Sequence, residues 1–302
     1  VTTDQLVVAQ IALAAIDDIL FTLLVGALVC SAPSVRPVEH FRGMAGRWQF
    51  AAAVSLAISC PVYLWLQAAV MSGAPLLAAW SAIRPVLAQS HFGLAWQVGF
   101  VGAALAAVCS RWSGRNAWSA TVAGALIYAA GKAAASHAAD EGDFTLPEFV
   151  HLMHLSATAV WAGTVIVGAA MLYRRRHDIA PERLAARATF CTYLSYMASI
   201  SLVVVIGTGI FNATMDTAHL TVPWLHTQYG RVLTLKLVFV ALAIVLGGFN
   251  RITYLPRLQA DAESGASASA HAKRGFDRLV SLEAVIMIAV LIVAALLGHT
   301  SP

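Results

Sequence analysis

The sequence predicts an all-α polytopic membrane protein, with eight transmembrane helices arranged as two parallel four-helix repeats. Three observations carry that prediction. Residues of the set AVILMFWYC make up 59% of the 302-residue chain, charged residues only 11%, and mean hydropathy is +0.75. A soluble domain would carry roughly a quarter charged residues. Apolar stretches of about 20 residues, each long enough to cross a ~30 Å hydrocarbon core, recur along the whole length. The segments between them alternate sharply in charge.

The spans fall at 5–31, 48–70, 93–110, 117–137, 147–172, 189–214, 230–250 and 279–298. The first connection, 32–47, carries Arg36, Arg42 and Arg47, and the third, 111–116, carries Arg111 and Arg115. The fifth, 173–188, holds Arg174, Arg175, Arg176, Arg183 and Arg187; the seventh, 251–278, holds Arg251, Arg257, Lys273, Arg274 and Arg278. Of the 19 Lys and Arg residues only Arg84, Lys132, Arg231 and Lys236 lie elsewhere. The positive-inside rule makes the arginine side cytoplasmic and leaves both termini in the periplasm. The net charge of +4 thus reports topology, and no nucleic-acid partner is expected. A cysteine introduced at Ser267, on a background lacking the native cysteines, should be shielded from an impermeant thiol reagent in intact spheroplasts. Labelling there without lysis would reverse the assignment.

The outward segments differ in character. Segments 71–92 and 215–229 are semi-polar and carry Trp and Pro, which predicts short interfacial helices or re-entrant turns. Segment 138–146 is short and acidic, and 259–272, rich in Ala and Ser, reads as a mobile cytoplasmic loop. Cys30, Cys60, Cys109 and Cys191 stand singly without CxxC spacing, so neither a disulfide framework nor a zinc ribbon is indicated. No short apolar stretch ending at a small-residue cleavage site opens the chain, so a cleavable signal peptide is not expected.

Two halves, 1–138 and 139–302, read as copies. QSHFG at 89–93 precedes the third span and HTQYG at 226–230 the seventh, an offset of 137 residues. The same offset places Asp17 of the first span opposite His154 of the fifth, and Ser136-His137 closes the fourth span as Gly298-His299 closes the eighth. Four spans per half is an even number, so both copies insert the same way.

Seven of the ten histidines, namely His91, His137, His151, His154, His219, His226 and His299, fall on the outward side. Asp140, Glu141, Asp143, Glu148 and Asp216 accompany them. Imidazoles and carboxylates gathered at the mouth of a helical bundle suit a transition metal. In PEFVHLMHLSATAVWAG, Glu148, His151, His154, Thr158 and Trp161 recur at steps of 3, 3, 4 and 3 and share one helical face. His151 and His154 are then about 5–6 Å apart at Cβ, close enough for one ion. Interfacial histidines bonded to headgroups are the plain alternative. His137, His299 and Asp17 are the further candidate ligands. Asp17, near the middle of the first span beside Asp18, should face the bundle. It is a candidate ligand, proton acceptor or partner of Lys132, Arg231 or Lys236. Thr208, Asn212, Met215, Asp216 and His219 continue a face of the sixth span, with ordinary capping polarity as the competing account. Asn212, Met215 and Lys236 are candidate residues of a transport path, Met215 at the mouth and Asn212 and Lys236, with Asp17, beneath the outer cluster. The pair Cys60-Pro61 reads as a buried thiol beside a kink.

The stretches HLMHLSATAVWAG at 151–163, GTGIFNATM at 207–215, HTQYGRVLTLKL at 226–237 and FNR at 249–251 resemble the copper resistance D family of bacterial inner-membrane proteins. WSAIRPVLAQSHFG and ASHAA in the first half agree with it. The resemblance implies an eight-span inner-membrane protein that handles copper, Cu(I) or Cu(II), at the periplasmic face and passes it inward. The family pattern carries to His137, His151, Trp161, Asn212, Tyr229, Gly230, Lys236, Asn250 and Arg251; His154, Asp17 and His299 come from helical spacing. The expected partners are the copper ion, the bilayer and a periplasmic copper-binding protein. No phosphate-binding loop is present, so the chain reads as a non-enzyme whose transport is passive or driven by an ion gradient. A membrane oxidoreductase with a single outer haem held by two imidazoles remains the other class.

Overall fold

The computed structural model describes residues 3–33, 41–136, 144–176, 181–217, 223–264 and 270–300. They are almost wholly helical. α1 (Thr3–Val29), α2 (Arg42–Ser72), the short α3 (Ile83–Gln89), α4 (His91–Cys109) and α5 (Arg115–Ala134) form the first half. α6 (Leu146–Arg174), α7 (Pro181–Thr217), α8 (Gln228–Phe249), α9 (Leu255–Ser264) and α10 (Ala270–Leu297) form the second. Each expected span therefore corresponds to one long helix, with its inner or outer end differing by up to a few residues. Seven of the long helices are long and apolar enough to cross a membrane. The other, α5, has 20 residues and mixes Arg, Asn, Ser, Thr and Lys with Ala and Gly. It runs antiparallel to α1 over the same height: Trp118 Nε1 donates to Leu28 O at 3.0 Å, and Lys132 pairs with Asp18. The protein is an all-α polytopic membrane protein.

Helix starts follow local chemistry. Ser90 caps α4 by accepting from Gly93 N–H at 2.9 Å, and Thr227, at the 137-residue offset, caps α8 by accepting from Gly230 N–H at 2.9 Å. Thr145 caps α6, whose Glu148 reaches back to the Phe144 N–H at 2.7 Å. Between α2 and α4 the expected interfacial segment is a 3-10 turn, Ala79–Ala82, followed by α3. Trp65 ties it down by donating to Leu76 O at 2.9 Å. The seventh connection departs from expectation. Instead of a loop from 251, α8 runs through a π segment, Asn250–Tyr254, into α9, and α10 begins at Ala270. The apolar face of α9, with Leu255 and Leu258 buried, explains why it folds onto the bundle.

At the centre, α1 crosses α6 where two glycines meet. A Cβ on Gly26 would lie 2.2 Å from Gly163 O, and one on Gly163 would lie 2.3 Å from Thr22 O. These glycines are again 137 residues apart. Small residues permit such backbone contact, the usual adhesive between helices in lipid. The same device joins α4 to α5 through Gly99, Gly102, Gly124 and Gly131. The neighbours correspond half to half: α1 packs on α2 as α6 on α7, α4 on α5 as α8 on α10, and α1 touches α10 as α6 touches α5. One correspondence fails. α2 packs on α4, with Trp96 Nε1 donating to Cys60 O at 3.1 Å, whereas α7 and α8 do not pack along one another.

Candidate metal centre

α1 and α6 begin at the end of the bundle that carries the histidines, here the histidine end; the other is the arginine end. Asp17 and His154 each precede their crossing glycine by nine residues. Both therefore stand roughly 13 Å above the crossing at a rise of about 1.5 Å per residue. The two candidates share a height but not a site.

In the second half, His154 Nδ1 lies 2.9 Å from Thr208 Oγ1 of α7. The Thr208 hydroxyl already donates to Val204 O at 2.6 Å, as a threonine bonded back along its own helix does. With the hydroxyl hydrogen so placed, the Nδ1–H tautomer fits this contact and would keep the lone pair on Nε2; the Val205 carbonyl is a further hydrogen-bond partner of the ring. That is how a metal-binding imidazole is oriented: one nitrogen is anchored and the other offered to the ion. Gly209 makes room, since a Cβ there would press on His154 Cε1 at 3.3 Å. His151, one turn outward, and Lys236 of α8 are the nearest charged or chargeable groups. Below them Trp161 is buried, and Thr158 Oγ1 is buried without a hydrogen-bond partner. α7 and α8, which make few close backbone contacts among the described residues, flank this group, whereas α2 and α4 of the first half pack closely.

In the first half, Asp17 is only 5% exposed and its Oδ1 lacks a hydrogen-bond partner. Its carboxylate faces Ser59 of α2, beside the Asp18–Lys132 ion pair. One to two turns outward, Gln10 Nε2 donates to Gln67 Oε1, next to Tyr63. The pairings match across the halves: Asp17 with Ser59, His154 with Thr208, each joining the first helix of a half to the second.

Several expectations need correction. Asp17 does not pair with Lys236: the cation at its side is Lys132, held by Asp18, while Lys236 stands by His154. Asn212 does not lie beneath the histidines. α7 rises toward the histidine end, so Asn212, half-buried, and Met215, exposed, both stand outward of Thr208. His299 Nδ1 donates to Ala295 O at 2.8 Å, again leaving Nε2 available, but Ala295 packs on Ala14 and Ala15 of α1. His299 thus belongs with the first-half group. His137, His219, Asp140, Glu141 and Asp143 lie outside the described residues, as does the side chain of Asp216. Among the described residues no three His, Cys, Asp or Glu side chains come close enough to hold a metal ion.

Sequence reasoning passed over Thr208 as an anchor, and Ser59, Tyr63 and Gln67 altogether. The last three recur at i, i+4 and i+8 inside an apolar span, a polar stripe that marks a bundle-facing side.

Comparison with known proteins gives the family. The family described as Copper resistance protein D-like, N-terminal domain, matches residues 3–146, and Copper resistance protein D matches residues 188–297. Inner membrane protein YebZ of Escherichia coli (strain K12) is 25% identical over 154 residues, which covers 50% of this chain and 48% of that protein. The chain thus spans about half the length of that curated relative. No solved structure matches.

Proposed function

The chain belongs to the copper resistance D family, and on that premise we propose that it binds copper from the periplasm at the histidine end of α6 and conducts it inward. The reading rests chiefly on His154, whose Nδ1 is committed to Thr208 and whose Nε2 is left as a donor beside His151. Imidazole suits copper in either oxidation state, and paired imidazoles suit Cu(I). His137 is the further candidate ligand, while His299 stands with the first-half group. Asn212 and Met215 line the approach, and the seam between α7 and α8 admits the ion. Lys236, beside His154, is a further residue of the path. Asp17, in the first half, is the carboxylate on which inward passage depends. Residues 1–138 and 139–302 are two parallel repeats, and the copper site has developed in the second, where the helix pair is open. The protein is a carrier and not an enzyme, in the inner membrane with both termini periplasmic, and it receives copper from a periplasmic copper-binding protein.

Metal analysis of the purified protein together with copper uptake into proteoliposomes tests this reading. Bound copper, and uptake that Asp17→Asn blocks while sparing binding, is the expected result. Protein that binds no copper overturns the proposal, and a strong Soret band would assign it to the haem-binding class instead. Binding without uptake would reduce it to a copper-binding subunit.

A further inference from the structure

A second buried carboxylate lies far from the histidines. Glu283 sits on α10, only 6% exposed, among Val280, Ala284, Ile286 and Met287 of the main apolar core. It is 12 residues below Ala295, hence roughly 18 Å toward the arginine end. Its carboxyl group fills the notch opposite Gly247 of α8, where a Cβ would come within 2.7 Å of Oε1. One turn further along α8, the Asn250 side chain is buried and its Oδ1 has no hydrogen-bond partner. Asn250 also opens the π segment Asn250–Tyr254, a widening of the helix that recurs at functional sites.

The charged groups around it are all committed or distant. On α10, Arg278 is exposed five residues toward the arginine end, Asp277 pairs with Arg187 of α7, and Lys273 donates to Arg176 O at the arginine end. In the π segment, Arg251 donates to Ser199 of α7, while Arg257 of α9 lies over the Tyr254 ring. α6 contributes Arg174 at its far end, stacked on Trp48, and its histidines at the other. α1 carries Asp17 and Asp18 only in the histidine half, and Lys236 of α8 is 11 residues from Gly247. No charged group stands beside Glu283.

An isolated carboxylate in such surroundings is costly to keep ionised, and it neutralises by taking a proton. An acid O–H is a donor, and the orphaned Asn250 oxygen one turn away is an acceptor. We propose that Glu283 is a membrane-embedded proton-binding site, neutral at rest, whose acid hydrogen is held by the Asn250 side-chain oxygen and exchanges with water at the arginine end. The nearest charged pair toward that end, Arg187–Asp277, is six residues along α10, roughly 9 Å away. No step of this reading involves copper.

Infrared spectroscopy of copper-free protein in lipid at neutral pH tests it. A carboxylic-acid C=O band is expected, lost in Glu283→Gln and shifted upward in Asn250→Ala, where the acceptor is gone. Glutamate labelled with heavy carboxyl carbon should move that band in the wild type, which identifies it as a glutamic acid even where Glu283→Gln fails to fold. Transfer to heavy water should move it again within the time of the measurement. A band absent from the wild type, or unmoved by the glutamate label, overturns the assignment. A band unmoved by heavy water overturns the exchange.

Discussion

Gly163→Leu is expected to abolish assembly of the bundle, so that little protein is recovered as a single peak from detergent. The reason is local and steric. Even a methyl at this position would lie 2.3 Å from Thr22 O, 2.8 Å from Gly26 N and 2.9 Å from Gly26 Cα, all of them backbone atoms. No rotamer change relieves a clash with backbone, so α1 and α6 must separate. That loosens Ala159, Ala162 and their neighbours in both major core clusters. Overpacking a core with side-chain relief costs about 1–3 kcal/mol, and a backbone clash at the central crossing exceeds it. Gly26→Leu should act the same way, its Cβ falling 2.2 Å from Gly163 O. Gly207→Ala and Gly248→Ala are the controls, since nothing lies within 4 Å of a Cβ at either, and both should give wild-type yield and melting temperature. Wild-type stability in Gly163→Leu would mean that α1 and α6 do not touch here.

The elements were legible because lipid imposes two plain demands, apolar length and arginine on one side, and both are written locally. The common height of Asp17 and His154 was legible too, since they share the 137-residue offset with Ser90 and Thr227, which cap helices, and with Gly26 and Gly163, which meet at the crossing. Pairings across helices were not. Which of Lys132 and Lys236 approaches the aspartates depends on helix neighbours, and α5 rather than α8 lies against α1 at that height. Glu283 lies inside the expected eighth span, 279–298, but near its arginine end, where a carboxylate reads as an interfacial charge. Its place opposite Gly247 depends on which helix lies against α10, and that is not written in the local sequence. The failure of α7 and α8 to pack left no mark in composition, since both are as apolar as helices that do.

In the double variant His151→Ala/His154→Ala, copper affinity should fall about 100-fold or more, because removal of a coordinating imidazole exceeds the 10- to 100-fold effect of losing its supporting partner. His154→Ala alone should account for most of the loss, since its imidazole is the one fixed across two helices at 2.9 Å. Thr208→Val retains the shape of the anchor and removes its acceptor, freeing the imidazole to rotate or change tautomer. A loss of roughly 10-fold is expected there, with the helix intact. The threonine matters only if the imidazole binds through Nε2, so the Thr208 effect should vanish in the His154→Ala background. His40, His177 and His271 fall in the arginine-rich stretches of the sequence, and their triple replacement by Ala should leave affinity unchanged. Isothermal titration with copper in a defined oxidation state reads all of these on one scale. Unchanged affinity and stoichiometry in the double variant would remove α6 from the site. The remaining outward histidines, His91, His137, His219, His226 and His299, would then have to hold the metal without it.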